Sequence, residues 1–178
     1  MKRQEVERAV EQFVLQGVAF LPENQPGVGD QLRLLQENGL VMTLPVQVKR
    51  FLNGIAYYYG TDLTAMRRRY GQAIARKQLI PLPFTGDWVL VPFKVRNPIG
   101  RQVVHGWFVA HQIHQLEPLA PQRTRLLLEG GHEVSVYHSL NFCQLQLRHV
   151  RLVRHFYEEI HFLRLSALAR ERGKPYLY

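Results

Sequence analysis

Cysteine, acidic residues and long apolar runs are all scarce in this chain of 178 residues. Cys143 is the only cysteine, which excludes a disulfide framework and a four-cysteine zinc site. No apolar run approaches the roughly 18 residues of a membrane-spanning helix, so we expect no membrane partner. The first turns carry Glu5, Glu7 and Glu11, unlike the basic and then apolar pattern of a signal peptide. We therefore expect a reduced, cytoplasmic protein.

Positive charge is abundant and unevenly distributed. The chain has 23 Lys and Arg against 14 Asp and Glu, and its formal net charge is +9. Residues 38–111 contain ten of the cations and only two acids, Asp62 and Asp87, so this segment holds nearly the whole excess. Such a local excess indicates an anionic partner, with nucleic acid as the first candidate. A hydrophobic content of 46% excludes a disordered chain.

The order of periodic segments predicts one α+β domain over residues 1–178. Antiparallel hairpins and a strand meander accompany a central helix and precede a long C-terminal helix. Residues 3–17 have helical spacing of their apolar positions, and residues 18–21 read as a buried strand. We expect Pro22 to end that strand.

Turn and cap residues predict the limits of the middle elements. Asn38-Gly39 indicates a hairpin with a type I′ turn, because both residues tolerate positive φ. Pro45 suits the first turn of the central helix, where its missing N–H is no loss. Either Thr61 or Asp62 is expected to cap a further turn, which places the three consecutive arginines that follow at its end or just beyond it.

Short strand-like runs dominate from residue 79 onward, and a helical stripe follows them. The predicted strands cover residues 79–84, 88–93, 104–110, 112–116, 124–128 and 133–137. Ser139 is expected to begin the C-terminal helix, whose apolar stripe runs from Leu140 to Leu168. Gly173 is expected to stop this helix.

Basic side chains between residues 49 and 101 are the candidate contacts to nucleic acid. Guanidinium groups suit the narrow, negative minor groove of A·T tracts, and Asn97 can donate to its acceptor atoms. The candidates for the groove are Arg67, Arg68, Arg69, Arg96, Asn97 and Arg101. Contacts to phosphate position a protein without specifying sequence. The candidates for phosphate are Lys49, Arg50, Arg76, Lys77 and Lys94.

Several short motifs follow one another along the chain in a distinctive order. They are Leu21-Pro22-Glu23, Tyr59-Gly60 with Arg67, Leu79-Ile80-Pro81, Pro92-Phe93, Gly106-Trp107-Phe108 and Tyr137-His138-Ser139. In this order and spacing the chain resembles the ComK family, the competence transcription factors of Gram-positive bacteria. The resemblance covers residues 18–155. It leaves residues 1–17 as an N-terminal helical extension, and residues 156–178 as the end of the last helix and a tail.

The resemblance implies a function and a set of partners. Proteins of this family bind double-stranded DNA and activate competence (DNA uptake) genes, reading AT-rich boxes mainly through the minor groove. A homodimer or higher homo-oligomer, associated with the nucleoid when bound, is therefore expected. Family members are also controlled by adaptor-mediated proteolysis. The segment 174–178 is short and apolar enough to be recognised by such an adaptor, or to pack against the domain as a strand.

Two other classes of function fit parts of the sequence. The triplet Tyr57-Tyr58-Tyr59 can stack on unpaired bases, which is typical of RNA or single-strand binding. Against this, Tyr59 and one neighbour can instead cap the core beside the central helix. A protein-interaction module whose basic face meets an acidic partner is the third class.

Catalysis, cofactors and metals are not expected. The chain has no phosphate-binding loop, dinucleotide fingerprint or nucleophile elbow. His111 and His114 lie three apart on a predicted strand, where they point to opposite faces. His155 and His161 lie six apart on a predicted helix and share no face. Cys143 falls on the apolar stripe, which indicates an inert core cysteine and not a nucleophile.

Overall fold

The computed structural model of the chain describes residues 1–25, 29–97 and 103–172. Its helices are α1 (Arg3–Gln16), α2 (Val48–Tyr58), α3 (Leu63–Ala73) and α4 (Leu140–Arg172). Its strands are β1 (Gly17–Gln25), β2 (Gly29–Gln36), β3 (Val41–Leu44), β4 (Leu82–Pro83), β5 (Val89–Lys94), β6 (His105–Val109), β7 (Ile113–Ala120), β8 (Arg123–Leu128) and β9 (Glu133–Val136). The predicted single α+β domain with antiparallel hairpins, a central helix and a long C-terminal helix is confirmed.

The strands form two antiparallel sheets. The larger sheet has the order β3-β2-β1-β6-β5-β4, and the smaller one has the order β7-β8-β9. In the larger sheet β1 pairs with β6, where Ala19 lies opposite Phe108 and Phe20 opposite Trp107. This pairing joins the N-terminal hairpin to the strands that follow the basic segment, so residues distant in sequence become neighbours.

Pro22 lies inside β1, so the prediction that it ends this strand is wrong. The strand continues to Gln25, and Pro22 lies opposite Leu32 of β2. On its other side β1 pairs with β6 only at Ala19 and Phe20. Proline is tolerated at this position because no ladder on that side requires the N–H that it lacks.

The hairpin predicted at Asn38-Gly39 is present, but its turn is different. Gly39 has a φ of 83°, whereas Asn38 does not have a positive φ. The Gly39 N–H donates to the Gln36 carbonyl at 3.0 Å, and the Asn38 side-chain oxygen accepts from the Leu40 N–H at 3.0 Å. A type I′ turn needs positive φ at both central residues, so the prediction of that turn type is wrong.

Helices α2 and α3 differ in how well their starts were predicted. Pro45 precedes α2, which begins at Val48, so the prediction of Pro45 in the first helical turn is wrong. Of the two candidate caps for α3, Asp62 is the one used, and its carboxylate accepts from the Ala65 N–H at 2.7 Å. Thr61 instead donates its backbone N–H to a carbonyl of α2.

Helices α1 and α2 cover one face of the larger sheet. Phe13 of α1, Phe20 of β1 and Phe51 of α2 are fully buried and meet edge to face, with ring centroids 5.2 to 5.6 Å apart. The helices approach closely at Gly54, where a Cβ would lie 3.0 Å from a methyl group of Val10. This aromatic cluster holds the first core together.

The smaller sheet and the first turns of α4 cover the opposite face. Phe93 and Phe108 of the larger sheet pack there with Leu126 of β8, Val136 of β9 and Cys143 of α4. All five side chains are fully buried. The larger sheet is therefore the middle layer of the domain.

Helix α4 begins as predicted, because the Ser139 hydroxyl accepts from the Phe142 N–H at 3.2 Å. Its apolar stripe packs on the domain as far as Tyr157, whereas Ile160 and Phe162 are exposed. The polar Gln146 is fully buried in the middle of the stripe, which periodicity did not predict. The predicted stop at Gly173 lies outside the described residues. Among the described residues, no helix is long and apolar enough to cross a membrane.

Most strands predicted after residue 79 are confirmed to within a few residues, but two differ. The run 79–84 forms a strand only at Leu82 and Pro83. The strand predicted at 112–116 is longer, because β7 reaches Ala120, and His111 lies in a 3-10 turn before it. Because β4 begins only at Leu82, it does not pair with Pro92 of β5, and the Gln146 side chain of α4 bonds there instead.

His138 joins the two sheets. Its Nε2 accepts from the Lys94 N–H at 3.0 Å, while the Tyr137 N–H donates to the Lys94 carbonyl at 2.7 Å. The Thr124 hydroxyl donates to the His138 carbonyl at 2.9 Å. Burial, followed by the nearby charges of His105 and Lys94, lowers the pKa of His138 to about 4.

Acidification is expected to destabilise the fold through protonation of His138. Its pKa is about 6.5 in an unfolded chain, so between about pH 6.5 and pH 4 the unfolded state binds more protons. The His138→Gln variant should therefore show a smaller decrease in the free energy of unfolding across this range, measured by urea denaturation. Some decrease should remain, because the pKa values of His105 and His149 are also lowered. An unchanged pH slope would contradict the assignment.

Gly130→Ala is expected to lower the melting temperature more than the matched change Gly131→Ala. Both glycines have positive φ, 73° and 72°, where alanine costs about 1–2 kcal/mol. Only at Gly130 would the new Cβ collide with backbone, 2.7 Å from the Gln36 carbonyl oxygen, whereas nothing lies within 4 Å at Gly131. Thermal unfolding followed by circular dichroism measures the difference. Equal decreases in melting temperature would mean that the loop between β8 and β9 does not contact the β2–β3 hairpin.

Candidate nucleic-acid interface

Helix α3 presents the arginine cluster on its solvent face. Leu63, Met66 and Tyr70 of this helix are buried, and Arg67, Arg68 and Arg69 between them are exposed. The arginines lie within the helix and not at or beyond its end, so that part of the sequence prediction is wrong. The error arose because the helix continues to Ala73, one turn further than the apolar pattern indicated.

The loop after α3 folds back against the helix and presents two more cations. At Gly71 a Cβ would lie 2.6 Å from the Arg76 carbonyl oxygen, so the loop passes too close for any side chain there. Ala75 and Leu79 have φ values of 54° and 53°, which are unfavourable for residues with a Cβ. Tertiary contacts therefore hold Arg76 and Lys77 in place.

Gln146 of α4 supplies one of these contacts. Its fully buried side-chain amide donates to the Leu79 carbonyl at 2.9 Å and to the Pro92 carbonyl at 3.3 Å. The amide lies between the loop and β5, just before β4 begins at Leu82. It thereby ties the loop to both the sheet and the last helix.

Two adjoining concavities bring the cations together. The first, of about 410 Å³, lies between α2, α3, the loop and the strands β5 and β6. The second, of about 520 Å³, lies between α3 and the loop. They share Arg67, Lys77 and Ile80, and we call them together the basic cleft. Its described lining includes no Asp or Glu and five cations: Lys49, Arg67, Arg68, Arg76 and Lys77.

The two acids of the basic segment do not neutralise the cleft. Asp62 caps α3, and Asp87 pairs with Arg154 of α4 at 2.8 Å. No ion pair joins Arg67 or Arg68 to a carboxylate in the part of the chain that the structure describes. The positive potential of the cleft is therefore available to an external anion.

The basic surface continues onto α4. The Arg76 guanidinium lies over the Phe142 ring, 5.7 Å from its centroid. Burial, followed by the charges of Arg76 and Arg148, lowers the pKa of His149. Arg154 is instead paired with Asp87 and Glu158. Arg148 is exposed next to His149 on this helix, and it lines neither concavity.

Lys94 lies beside the cleft without lining it. It lies opposite His105 in the β5–β6 ladder. The first concavity is lined by His105 and by Trp107, the next residue on the same face of β6. The Lys94 ammonium lies 5.9 Å from the centroid of the Tyr137 ring. The pairing of β5 with β6 is what brings His105 and Trp107 to the site, and no local signal in the sequence indicates it.

Arg96 is engaged within the protein, unlike the projecting side chain that the sequence analysis expects. Its Nε–H donates to the Val103 carbonyl at 2.7 Å, and its guanidinium pairs with Asp30 at 3.3 Å. Its side chain is only 18% exposed. Arg69 and Asn97 are exposed but line neither concavity, and Arg101 lies outside the described residues.

The tyrosine triplet lies in a different electrostatic environment. Tyr59 packs on Phe84 and Trp88, and burial raises its pKa to about 12. Tyr57 and Tyr58 are exposed and line a concavity with Arg3, Glu7 and Glu11 of α1. Arg3 pairs with Glu7 at 2.8 Å, and its guanidinium lies 5.4 Å from the centroid of the Tyr57 ring. Only Tyr59 therefore contributes to the core, and the concavity of its two neighbours is lined by one cation and two acids.

The other candidate reactive groups occupy ordinary structural positions. Cys143 is buried, which raises its pKa to about 11. His114 pairs with Glu129 at 2.8 Å, and His155 pairs with Glu159 at 3.3 Å. Within residues 1–25, 29–97 and 103–172, no group of three His, Cys, Asp or Glu side chains has the arrangement of a metal site.

Comparison of the chain with protein-family models, with curated proteins and with solved structures found no match. The likeness to the ComK family consequently rests on the ordered motifs of the sequence. The chemistry of the site rests on the geometry described above.

Arg96→Ala is expected to destabilise the protein by about 1–3 kcal/mol, because it removes a charge-assisted hydrogen bond and leaves Asp30 without its partner. Arg68→Ala is the matched control, since this side chain is exposed and its loss should change the free energy of unfolding by less than about 0.5 kcal/mol. Urea denaturation measures both. Equal stability of the two variants would show that the Arg96 contacts are dispensable.

Proposed function

We propose that this protein is a cytoplasmic, sequence-selective DNA-binding activator of transcription that works without catalysis or a cofactor. The observation that carries the proposal is the basic cleft, in which five cations from three segments meet and whose described lining contains no acid. A concentrated, unneutralised patch of Lys and Arg is the electrostatic signature of a nucleic-acid surface. The motifs shared with the ComK family support duplex DNA and competence genes as the target.

We assign the cations two roles from their positions in the cleft. Arg67 and Arg68 stand on a rigid helix, so their guanidinium groups can enter the narrow, negative minor groove of an A·T tract together. Lys49 and Lys77 lie on the flanking segments of the cleft, where contacts to phosphate would fix the position of the duplex. Arg96 is not needed for either role, because its side chain stabilises the fold.

Duplex DNA is favoured over unpaired nucleic acid by the position of the tyrosines. Single-strand binding needs aromatic platforms beside positive charge. Here the concavity of Tyr57 and Tyr58 shares no residue with the basic cleft. The one cation of its described lining, Arg3, is paired with Glu7. With Glu7 paired to Arg3, the remaining charge of this lining is that of Glu11, which does not attract a phosphate backbone.

Assembly and regulation extend the proposal. The resemblance implies a homodimer or a higher homo-oligomer, and the exposed Ile160 and Phe162 of α4 are candidate contacts between copies. The tail considered as a handle for a proteolysis adaptor, residues 174–178, lies outside the described residues.

Three duplexes test the proposed function: paired AT-boxes, the same boxes with shifted spacing, and a GC-rich control. Affinity is measured by fluorescence anisotropy over a series of salt concentrations. Preference for the correctly spaced pair by about 10³-fold or more is expected of a specific regulator. Equal binding to all three with a steep salt dependence would mean that the cleft reads phosphate alone. Absence of binding to every duplex would favour an acidic protein as the partner.

Arg67→Ala is expected to weaken binding to the AT duplex by about 1–3 kcal/mol and to reduce its preference over the GC duplex. Lys77→Ala should weaken binding to all three duplexes by similar factors and lower the slope of log affinity against log salt by about 1. Arg8→Ala is the control, because this exposed arginine lies on α1 and lines neither concavity. Equal effects of Arg67→Ala and Arg8→Ala on affinity would show that the basic cleft is not the DNA-binding surface.

A further inference from the structure

The first concavity of the basic cleft has an apolar floor that a phosphate-binding surface does not require. Leu52, Leu63, Ile80 and Trp107 line it and are each less than 9% exposed. Its volume of about 410 Å³ lies within the range of roughly 300–1,000 Å³ that is typical of small-molecule sites. DNA phosphates remain outside such a floor, because desolvating them against apolar side chains is unfavourable.

Three exposed cations line this concavity together with the buried floor. Lys49 comes from α2, Arg67 from α3 and Lys77 from the following loop, and all three side chains are exposed whereas the floor is buried. No carboxylate belongs to the described lining. A ligand held here meets apolar surface with one end and positive charge with the other.

We propose that this concavity binds a small amphiphilic anion, a medium-chain carboxylate, with its alkyl body on the floor and its carboxylate between the three cations. The alkyl body gains from leaving water in proportion to its length. The carboxylate gains charge-assisted hydrogen bonds from the ammonium and guanidinium groups.

The existence of this site does not rest on the proposed DNA binding, although the two share Lys49, Arg67 and Lys77. A carboxylate bound between these side chains would neutralise part of the charge that a duplex needs. The ligand would therefore compete with DNA for the cleft. Binding of the carboxylate itself requires no DNA, so its measurement succeeds or fails separately.

Isothermal titration of the full chain with decanoate, octanoate and hexanoate tests the proposal, at concentrations below micelle formation and without DNA. Saturable binding of one decanoate per chain is expected, and affinity should decrease about fourfold for each methylene removed, as burial of one CH₂ contributes about 0.8 kcal/mol. Decanol, which has the same chain and no charge, should bind at least about tenfold more weakly. Equal affinity for decanoate and decanol would overturn the assignment of the cations, and absence of saturable binding would overturn the site.

Two variants locate the ligand. Asn53→Trp adds a large side chain at an exposed position of α2 that lines the concavity, and it should abolish binding of decanoate. Gln12→Trp, at an exposed position of α1 outside every concavity described here, is the matched control and should bind normally. Lys77→Gln should weaken decanoate about tenfold and leave decanol unchanged. Normal binding by Asn53→Trp, or equal losses in both tryptophan variants, would place the ligand elsewhere and overturn the proposal.

Discussion

Two hydrogen bonds from one buried amide hold the basic cleft in shape. The Gln146 side chain donates to the carbonyls of Leu79 and Pro92. No strand pairs with β5 at this point, because β4 begins only at Leu82. Leaving such a carbonyl without a donor costs about 1–3 kcal/mol, so the bond fixes the loop as well as satisfying it. The unfavourable φ values of Ala75 and Leu79 persist because this anchoring and the close approach at Gly71 leave the loop no alternative path.

The charge distribution follows from the same packing. Folding brings Arg67, Arg68, Arg76 and Lys77 around one surface, and like charges that approach each other oppose the compact state. The acids of the segment do not relieve this repulsion, since Asp62 is committed to a helix cap and Asp87 to α4. A bound anion would relieve it, and this is the physical basis of both functions that we propose for the cleft.

The two proposed ligands use different parts of one site. A duplex offers phosphates and a groove to the exposed cations, whereas a carboxylate with an alkyl chain also uses the buried floor formed by Leu52, Ile80 and Trp107. Charge alone does not separate these partners, but the apolar area does, because burial of hydrocarbon is insensitive to the salt that screens a phosphate contact. The cleft thus combines a long-range attraction for anions with a short-range preference for an apolar body.

Local signals in the sequence determined much of the fold. The side chains of Asp62 and Ser139 cap helices, and Gly39 turns a hairpin, because each acts on backbone within three residues of itself. The excess of cations and the amphipathic helices were equally visible. Only the tertiary structure decided which cations share a surface: Arg96 is tied to Asp30, 66 residues away, and the β5–β6 ladder brings Trp107 beside the cleft. Such pairings depend on the register and crossing of distant strands, and no periodicity within one segment encodes them.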